Sequence, residues 1–381
     1  MKVEQRIWNQ KQGWQLQGDG AGSLDGAAQL VLAFGSTESL RCGGRMADLR
    51  SAYGGARVIA CSTAGEICGT RITDNSIVAT AVGFDHTDVR TAHVALDDSN
   101  DSRAAGRALG KTLAASDLIH VLVISDGLRA NGSELVAGLT ESLPAGVAIT
   151  GGLAGDGADF RQTLVCHDGP AVAGAIAAIG FYGDRLKVGY GSLGGWDAFG
   201  PERLVTRSQG NILYELDGQS ALAVYKKYLG EHAAGLPASG LLFPLALRTA
   251  PGQTPVVRTI LAVDEARQCM TFAGDVPQGA FARLMKANFE RLIEGATGAA
   301  RASSQSVGTS NPELAILISC VGRKLILKQR TEEEVEGVRS VLGERAALTG
   351  FYSYGEIAPF TAAARCELHN QTMTVTTFSE N

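Results

Sequence analysis

The sequence predicts an α/β (α+β) fold with two domains of mixed sheets flanked by helices, built from repeated strand-helix-strand-strand-strand units. The first observation is a recurring apolar strand that ends in a glycine followed by an acid. It occurs in residues 57–66, 147–156 and 347–356. The second observation is another apolar strand and a helix-like segment, about thirty residues upstream of each tip. The third is the length of 381 residues, which favours two domains over one.

Strand signals support these units. The upstream strands are predicted at 30–36, 121–126 and 314–320, and two strand-like runs, such as 163–166 and 171–181, follow each tip. Apolar runs at 76–84 and 89–96 are joined by the short turn 85–87. A tight join of this kind predicts that the two runs pair antiparallel, so the sheets are expected to be mixed.

Apolar residues with helical spacing occur in four segments, 135–143, 222–229, 281–293 and 331–342. The last is expected to open with a capping box formed by Thr331 and Glu334. Residues 296–310 are small and polar and are expected to form a loop. The glycine-rich stretch 191–201 marks a boundary. We therefore predict an N-terminal domain at 1–203 with two copies of the unit, and a C-terminal domain at 204–381 with the third.

Composition excludes several classes of protein. The net charge is −5 and the basic residues are scattered, which argues against nucleic acid and anionic membrane surfaces as partners. The N-terminus has no apolar signal segment, and no apolar run reaches the roughly 20 residues needed to span a bilayer. Seven cysteines with irregular spacing indicate reduced thiols. A cytoplasmic location is expected.

Several apparent catalytic motifs are incomplete. Gly110-Lys111-Thr112 resembles the end of a phosphate-binding loop but follows a helical pattern rather than a strand. Ser62 lies in a sequence similar to a nucleophile elbow that lacks its first glycine. The six histidines form no HxxxH or HExxH pair, so a preformed zinc site is not expected. One neutral imidazole facing an apolar cavity would nevertheless be enough for a haem iron.

The strand tips are the best candidates for a ligand pocket, because glycines there expose backbone N–H groups. The residues expected to meet at the domain junction are Ser62, Thr63, Glu66, Arg323, Tyr352, Tyr354 and Glu356. Arg323 is the expected donor to Glu66 and Glu356, since its planar fork suits a carboxylate. The alternative interpretation is that the acids at the tips cap neighbouring backbone and hold the repeats together.

Six segments of the chain resemble the FIST domains. The segments 61–67, 125–127 and 151–157 resemble the FIST N-terminal domain, and 319–323, 350–357 and 368–372 resemble the FIST C-terminal domain. The resemblance covers nearly the whole chain after about residue 25. It implies a sensory, ligand-binding role in signal transduction without enzymatic activity.

The sequence shows no kinase or cyclic-nucleotide output module, so it resembles the stand-alone, nitric-oxide-sensing haemoproteins called NosP. That resemblance implies haem b, nitric oxide as the signal, and regulation of a partner histidine kinase by contact in the cytoplasm, linked to biofilm behaviour. His369 is ranked first as the iron ligand, ahead of His167 and His93. The neighbours Asn370 and Thr372 could orient the His369 ring.

Two other functions stay open. The chain could instead be a FIST module that binds a small polar metabolite, such as an amino acid, at the strand tips. A hydrolase that uses Ser62 or a cysteine is a third alternative, for which the sequence places no base. A homo-oligomer is compatible with the sequence.

Overall fold

A computed structural model describes residues 1–17, 24, 26–96, 100–307, 311–360 and 365–380. It confirms the predicted fold class, because mixed sheets flanked by helices form two domains. The larger domain, here called the core, contains three units with the same order of strands. The smaller domain, here called the insert, spans residues 197–286 and interrupts the third unit.

The first two units precede the insert. The first contains β1 (Lys2–Asn9), β2 (Gly13–Gln17), β3 (Leu30–Gly35), α1 (Thr37–Arg41), α2 (Gly43–Ala52), β4 (Arg57–Ser62), β5 (Glu66–Cys68), β6 (Arg71–Thr73) and β7 (Ile77–Gly83). The second contains β8 (Asp88–Ala95), α3 (Ser102–Leu113), β9 (Leu118–Ser125), α4 (Gly132–Ser142), β10 (Ala148–Leu153), β11 (Val165–His167) and β12 (Ala175–Tyr182).

The third unit begins with β13 (Leu186–Leu193) and resumes after the insert. The insert contains β14 (Asp197–Gln209), β15 (Ile212–Leu216), β16 (Gln219–Ser220), α5 (Ala221–Leu229), β17 (Leu245–Arg248), β18 (Val256–Arg258), β19 (Ile260–Asp264), β20 (Cys269–Phe272) and β21 (Phe281–Lys286). The third unit then continues with α6 (Phe289–Val307), β22 (Leu314–Cys320), α7 (Val321–Leu327), α8 (Thr331–Leu342), β23 (Ala347–Ser353), β24 (Gly355–Pro359), β25 (Cys366–His369) and β26 (Met373–Glu380).

Each unit is organised around one parallel pair of buried strands. The pairs are β3–β4, β9–β10 and β22–β23. An antiparallel strand, β7, β12 or β26, lies on the other side of the first strand of each pair. All residues of β3 and β22 are buried, as expected for strands covered on both faces.

The three units exchange strands in a closed cycle. After its tip, the first unit sends β5 to pair with β23 of the third unit. The third unit sends β24 to pair with β10 of the second, and the second sends β11 to pair with β4 of the first. Each six-stranded sheet of the core therefore contains strands from two units, and the three tips meet where the exchanges occur.

The insert forms its own sheet and apolar core. Its strands are arranged in the order β18-β17-β21-β14-β15-β20-β19, and α5 covers the sheet with Leu222, Tyr225 and Leu229. The predicted domain boundary between residues 203 and 204 stays a prediction; that position lies within β14, and strands from both sides of it share sheets of the core.

One predicted strand pairing and the first part of one predicted helix are wrong. β7 and β8 do not form a hairpin, because both edges of β7 are already occupied by β1 and β3. Residues 85–87 instead connect two different sheets, and β8 pairs with β12. The predicted helix at 281–293 begins only at Phe289. The first part of this segment is strand β21. Its alternate residues Ala282 and Leu284 are buried in the apolar core of the insert.

The helices 135–143, 222–229 and 331–342 are confirmed as α4, α5 and α8. Thr331 and Glu334 form no capping box, since the Glu334 carboxylate points to other partners inside the core. The predicted loop at 296–310 is wrong for residues 296–307, which belong to α6, and residues 308–310 lie outside the described residues. In the described part of the chain, no helix is long and apolar enough to cross a membrane.

Candidate functional site

The three strand tips lie side by side, linked by backbone hydrogen bonds. The N–H of Ala64 donates to the carbonyl of Tyr352 at 2.8 Å, and the N–H of Gly155 donates to that of Ser62 at 2.9 Å. The N–H of Tyr354 donates to the carbonyl of Leu153 at 3.1 Å. These contacts follow the same cycle as the exchanged strands, so the tips are held in one place by the fold itself.

Glu66 and Glu356 have the same buried surroundings in the first and third units. Thr63 Oγ1 donates to one carboxylate oxygen of Glu66 at 2.6 Å, and the N–H and hydroxyl of Ser76 donate to the other at 3.2 and 2.7 Å. Ser353 Oγ donates to Glu356 at 2.6 Å, and the N–H and hydroxyl of Thr372 donate at 3.1 and 3.0 Å. Each carboxyl therefore joins a tip to a neighbouring segment.

Burial sets the protonation of both glutamates. It raises the pKa of Glu66 to about 7 and the pKa of Glu356 to about 8, against the hydrogen bonds, which favour the charged form. Asp156, at the tip of the second unit, is partly exposed instead and accepts bonds from the N–H groups of Arg161 and Gln162, each at 2.7 Å. The second tip is thus the exception among the three.

Arg323 does not bind Glu66 or Glu356, contrary to the prediction. Its Nε and Nη2 donate to Glu334 Oε2 at 3.0 and 2.8 Å, and neither side chain is exposed to solvent. Tyr352 donates to the other oxygen of Glu334 at 2.6 Å. Hydroxyl and N–H groups already satisfy the hydrogen-bonding capacity of Glu66 and Glu356. Arg323 therefore forms its ion pair with a third buried acid, Glu334, which was predicted to cap a helix.

Ser62 is fully buried, and its hydroxyl accepts the N–H of Leu164 at 2.8 Å. Of the seven predicted pocket residues, Tyr354 lines a cavity. Its hydroxyl donates to Asp156 and accepts the N–H groups of Asp156 and Phe160 at 3.2 and 3.3 Å. The predicted residues are therefore brought together, but most of them form a packed network rather than an open pocket.

A cavity of about 810 Å³ lies beside this network, between the core and the insert. The core contributes residues 127–132, Leu153, Ala158, Phe160, 320–322, Leu325 and Tyr354. The insert contributes Asn211, 235–238, Leu241, 259–261 and 272–274. Its volume is in the range of small-molecule sites, and such sites are common between domains.

The core side of the cavity is built by polar contacts below its surface. Asp126 is buried, and its Oδ1 accepts the N–H groups of Leu128 and Arg129 at 2.8 and 2.7 Å. Asn131 caps α4 by accepting the N–H groups of Ser133 and Glu134. These contacts fix the turn between β9 and α4, which lines the cavity.

Four large apolar side chains on the cavity wall remain exposed to solvent. Leu128, Phe160, Leu261 and Leu325 are between 37% and 45% exposed. Phe160 lies parallel to Tyr354, with ring centroids 4.4 Å apart and an angle of 12°. Apolar side chains that line a cavity without being covered are typical of a surface that binds something.

The three predicted iron ligands lie elsewhere. His369 is fully buried; its Nε2 is 2.7 Å from the carbonyl oxygen of Ala358, its Nδ1 has no hydrogen-bond partner among the described residues, and burial lowers its pKa to about 4. His167 is partly buried and stacks on exposed His93, with centroids 4.4 Å apart. Burial lowers the pKa of His167, and its Nε2 is 2.9 Å from Thr91 Oγ1.

The fit to a histidine-held haem is incomplete. The cavity is large and mainly apolar, but no histidine of the described chain lines it; of the side chains that ligate haem iron, those of Cys320 and Tyr354 do. His369 has a free Nδ1 lone pair, which is the requirement for a metal ligand, yet its ring is sealed from solvent and packs 4.2 Å from Phe360. The histidine that could ligate iron and the cavity that could hold a haem therefore lie in different places.

Sequence reasoning missed the residues of the insert that line the cavity, including Thr259. It also missed the turn at 127–132, although Ser125-Asp126-Gly127 had been noticed as a sequence block. An aspartate and a glycine directly after a buried strand were the available signal for that turn. No local signal could have assigned Thr259, because its position is set by how the insert packs on the core.

A core with packed strand tips and an apolar cavity against a second domain is the architecture of a ligand-binding module. Residues 29–219 match the family model of the FIST N domain, and residues 221–359 match that of the FIST C domain. The chain therefore belongs to the FIST family, whose domains are sensory modules of signal transduction. No curated protein is significantly similar to the chain.

Proposed function

We propose that this chain is a non-enzymatic sensory module whose small-molecule ligand binds in the cavity between the core and the insert. The observation that carries the proposal is the cavity itself, with its uncovered apolar wall. A ligand there would touch both domains, so its binding would stabilise one arrangement of the insert on the core. This proposal corresponds to the alternative in which a FIST module binds a small metabolite. The ligand would lie beside the strand tips and not between them.

A screen for ligands that raise the melting temperature tests this function. Ala158 and Ala238 are exposed residues on opposite walls of the cavity, so Ala158→Trp and Ala238→Trp should fill it without disturbing the fold. We expect metabolites that raise the Tm of the wild type to lose this effect in both variants. Equal shifts in all three proteins, or no binding metabolite at all, would contradict the proposal.

Haem-based sensing of nitric oxide is the second candidate. It is supported by the resemblance to haemoproteins and by the unpartnered Nδ1 of His369. In this function the protein would bind haem b and regulate a partner histidine kinase by contact in the cytoplasm. Because the histidines do not line the cavity, a haem held by one of them would require a site other than the cavity proposed above.

Absorption spectra distinguish the second candidate. The wild type, His369→Ala, His167→Ala and His93→Ala are reconstituted with haem and compared before and after addition of nitric oxide, with circular dichroism to confirm folding. A Soret band that shifts with nitric oxide and is lost in one folded histidine variant supports haem sensing. A colourless wild type after reconstitution contradicts it. Kinase autophosphorylation with and without nitric oxide then tests the regulatory step.

A further inference from the structure

One aromatic residue of the cavity wall has an unusual backbone conformation. Phe160 has a φ of 52°, and among the described non-glycine residues with positive φ it is the only apolar one. The others are polar: Asn75, Asn100, Asp168, Asp217, Gln268, Lys328 and Gln371. A bulky side chain is strained in this conformation, and strain of this kind is concentrated at functional sites.

Polar contacts of the loop impose this conformation. The carboxylate of Asp156 accepts the N–H of Phe160 at 2.9 Å and those of Arg161 and Gln162 at 2.7 Å each. The Tyr354 hydroxyl accepts the same N–H of Phe160 at 3.3 Å. Burial of the ring does not offset the strain, because Phe160 is 43% exposed. The loop therefore holds an aromatic side chain at the surface of the cavity instead of burying it.

The ring of Phe160 has one face that Tyr354 leaves uncovered. Phe160 stacks on Tyr354 in a parallel arrangement, and Tyr354 is only 7% exposed. Because a stacked neighbour covers one face of a ring, the exposed part of Phe160 lies on the opposite face and at the edge. Aromatic groups pack well in offset stacks, so a planar aromatic group can continue this stack, whereas a saturated ring cannot match the flat surface.

The arginines near the cavity are already engaged. Arg129 has other interactions, and its guanidinium lies over Gly174, outside the wall, where a Cβ would be only 2.7 Å from Nη1. Arg258 lies behind Gly274 of the wall. It donates to the carbonyl oxygens of Asp275 and Leu368 at 3.1 and 2.9 Å.

The carboxylates near the cavity are engaged as well. That of Asp156 accepts the three N–H groups of the loop, and that of Asp275 accepts the side-chain amide of Asn131 at 3.1 Å. A charge on the enclosed part of a ligand would lose its water and meet no free opposite charge on the described wall, which is unfavourable. An uncharged ligand avoids this penalty.

From these observations we infer that the ligand is an uncharged, planar aromatic molecule and that Phe160 selects it. The aromatic ring of the ligand stacks on the uncovered face of Phe160. The exposed leucines of the wall, which belong to the core and to the insert, contact the rest of the molecule. The inference rests on the proposed function, because it names the chemical class of ligand for the same cavity.

Displacement of a fluorescent probe tests this ligand class. The probe is 6-propionyl-2-dimethylaminonaphthalene (prodan), which is uncharged and planar. The competitor 2-naphthamide is uncharged, 2-naphthoate and 2-naphthylmethylammonium carry a charge on the same rings, and decahydronaphthalene-2-carboxamide is the saturated amide. We expect 2-naphthamide to displace prodan from the wild type at about tenfold lower concentration than either charged compound and about fivefold lower than the saturated amide.

Variants of Phe160 test its role in selection. Phe160→Leu leaves an apolar side chain without a ring, so 2-naphthamide should bind about fivefold more weakly and lose its preference over the saturated amide. Phe160→Tyr should keep that preference. A merely disordered loop would weaken both amides equally, so the ratio of the two reports stacking. Phe289→Leu is the matched control, because Phe289 is exposed outside the cavity, and Ala158→Trp should abolish prodan binding.

Each contrary result has one meaning. If a charged compound displaces prodan as well as 2-naphthamide does, the ligand is not restricted to uncharged molecules and the inference is wrong. If the two amides compete equally in the wild type, or Phe160→Leu leaves their ratio unchanged, selection by stacking is wrong, while cavity binding stands provided that Ala158→Trp abolishes it. If prodan binds Ala158→Trp as it binds the wild type, the cavity is contradicted as well. If neither prodan nor 2-naphthamide binds the wild type, the aromatic class is wrong, and the metabolite screen decides the proposed function.

Discussion

The tips of the first and third units are closed by a buried glutamate, and only Tyr354 of these two tips reaches the cavity, whereas the longer tip of the second unit opens onto it. In the closed tips a buried glutamate, Glu66 or Glu356, ties the strand end to a neighbouring segment. Only residues 63–65 separate β4 from β5, and only Tyr354 separates β23 from β24. In the second unit residues 154–164 intervene between β10 and β11, and Ala158 and Phe160 of this longer loop line the cavity.

The comparison teaches where a repeated scaffold acquires a site. Units with the same strand order supply a rigid frame, and the site is found where one copy departs from the repeat. The insert, which interrupts the third unit, covers that same place. Binding surfaces are generally carried by loops on a rigid scaffold, and here the loop and the insert are both departures of this kind.

The largest effect on stability is expected from breaking the buried ion pair between Arg323 and Glu334, next to the third tip. Arg323→Met leaves the Glu334 carboxylate without its cation, so we expect a loss of about 3–5 kcal/mol in the free energy of unfolding. Urea denaturation measures it. Arg330→Gln breaks the solvent-exposed pairs with Glu290 and Glu333 and should change stability little. A loss no greater than that control would show that the closed tip does not depend on the pair.

The next test uses pH to compare the two closed tips. Because the folded-state pKa values of Glu66 and Glu356 are raised from 4.5 to about 7 and about 8, the folded state holds protons that the unfolded state has released. Stability should therefore fall as the pH rises from 4.5 through these values. Glutamine mimics the protonated acid and removes this dependence.

We expect Glu66→Gln and Glu356→Gln each to gain on the order of 3 kcal/mol relative to the wild type between about pH 5 and pH 8. The gain for Glu356→Gln should extend to the higher pH. Urea unfolding at several pH values measures it, with the exposed Glu336→Gln as control. Parallel curves for the wild type and both variants would mean that the glutamates are charged in the folded protein.

The smallest effect is expected at the open tip. Tyr354→Phe removes the hydroxyl that binds Asp156 and the N–H of Phe160, at a cost of about 1 kcal/mol. Hydrogen exchange should become faster at residues 160–162 and stay unchanged at 63–66. Tyr214→Phe, which removes an exposed hydroxyl bonded to Arg267, is the control. Unchanged exchange at 160–162 would show that Tyr354 does not hold the loop.

Local patterns predicted the strands of the core well, because an apolar run forms a buried strand whichever strand it pairs with. The strands at 314–320 and 347–353 begin at the predicted residues. The pairing of strands was not predictable in this way, because the partner of β8 depends on which strand edges are free in the complete fold. The same limit applied to Arg323, because residue type alone could not distinguish Glu334 from Glu66 or Glu356 as its partner.

The candidate site was only half predictable, for the same reason. Tyr354 was selected because it lies at a strand tip, and it does line the cavity. Thr259 and Phe160 reach the same cavity from a separate domain and from a loop, and no periodicity relates their positions. The histidines were selected by residue type, and the packing of His369 against Phe360 could not be deduced from spacing.

The cyclic exchange of strands has a consequence for how the protein is made on the ribosome. β5 and β6 are synthesised early, but the partner of β5 in the sheet is β23, which begins at Ala347. Until β23 has emerged, the nascent chain carries an unpaired apolar edge that can recruit other strands. A ribosome that stalls or terminates before β23 is made would release a chain prone to aggregation, so a strand of the third unit protects an edge of the first.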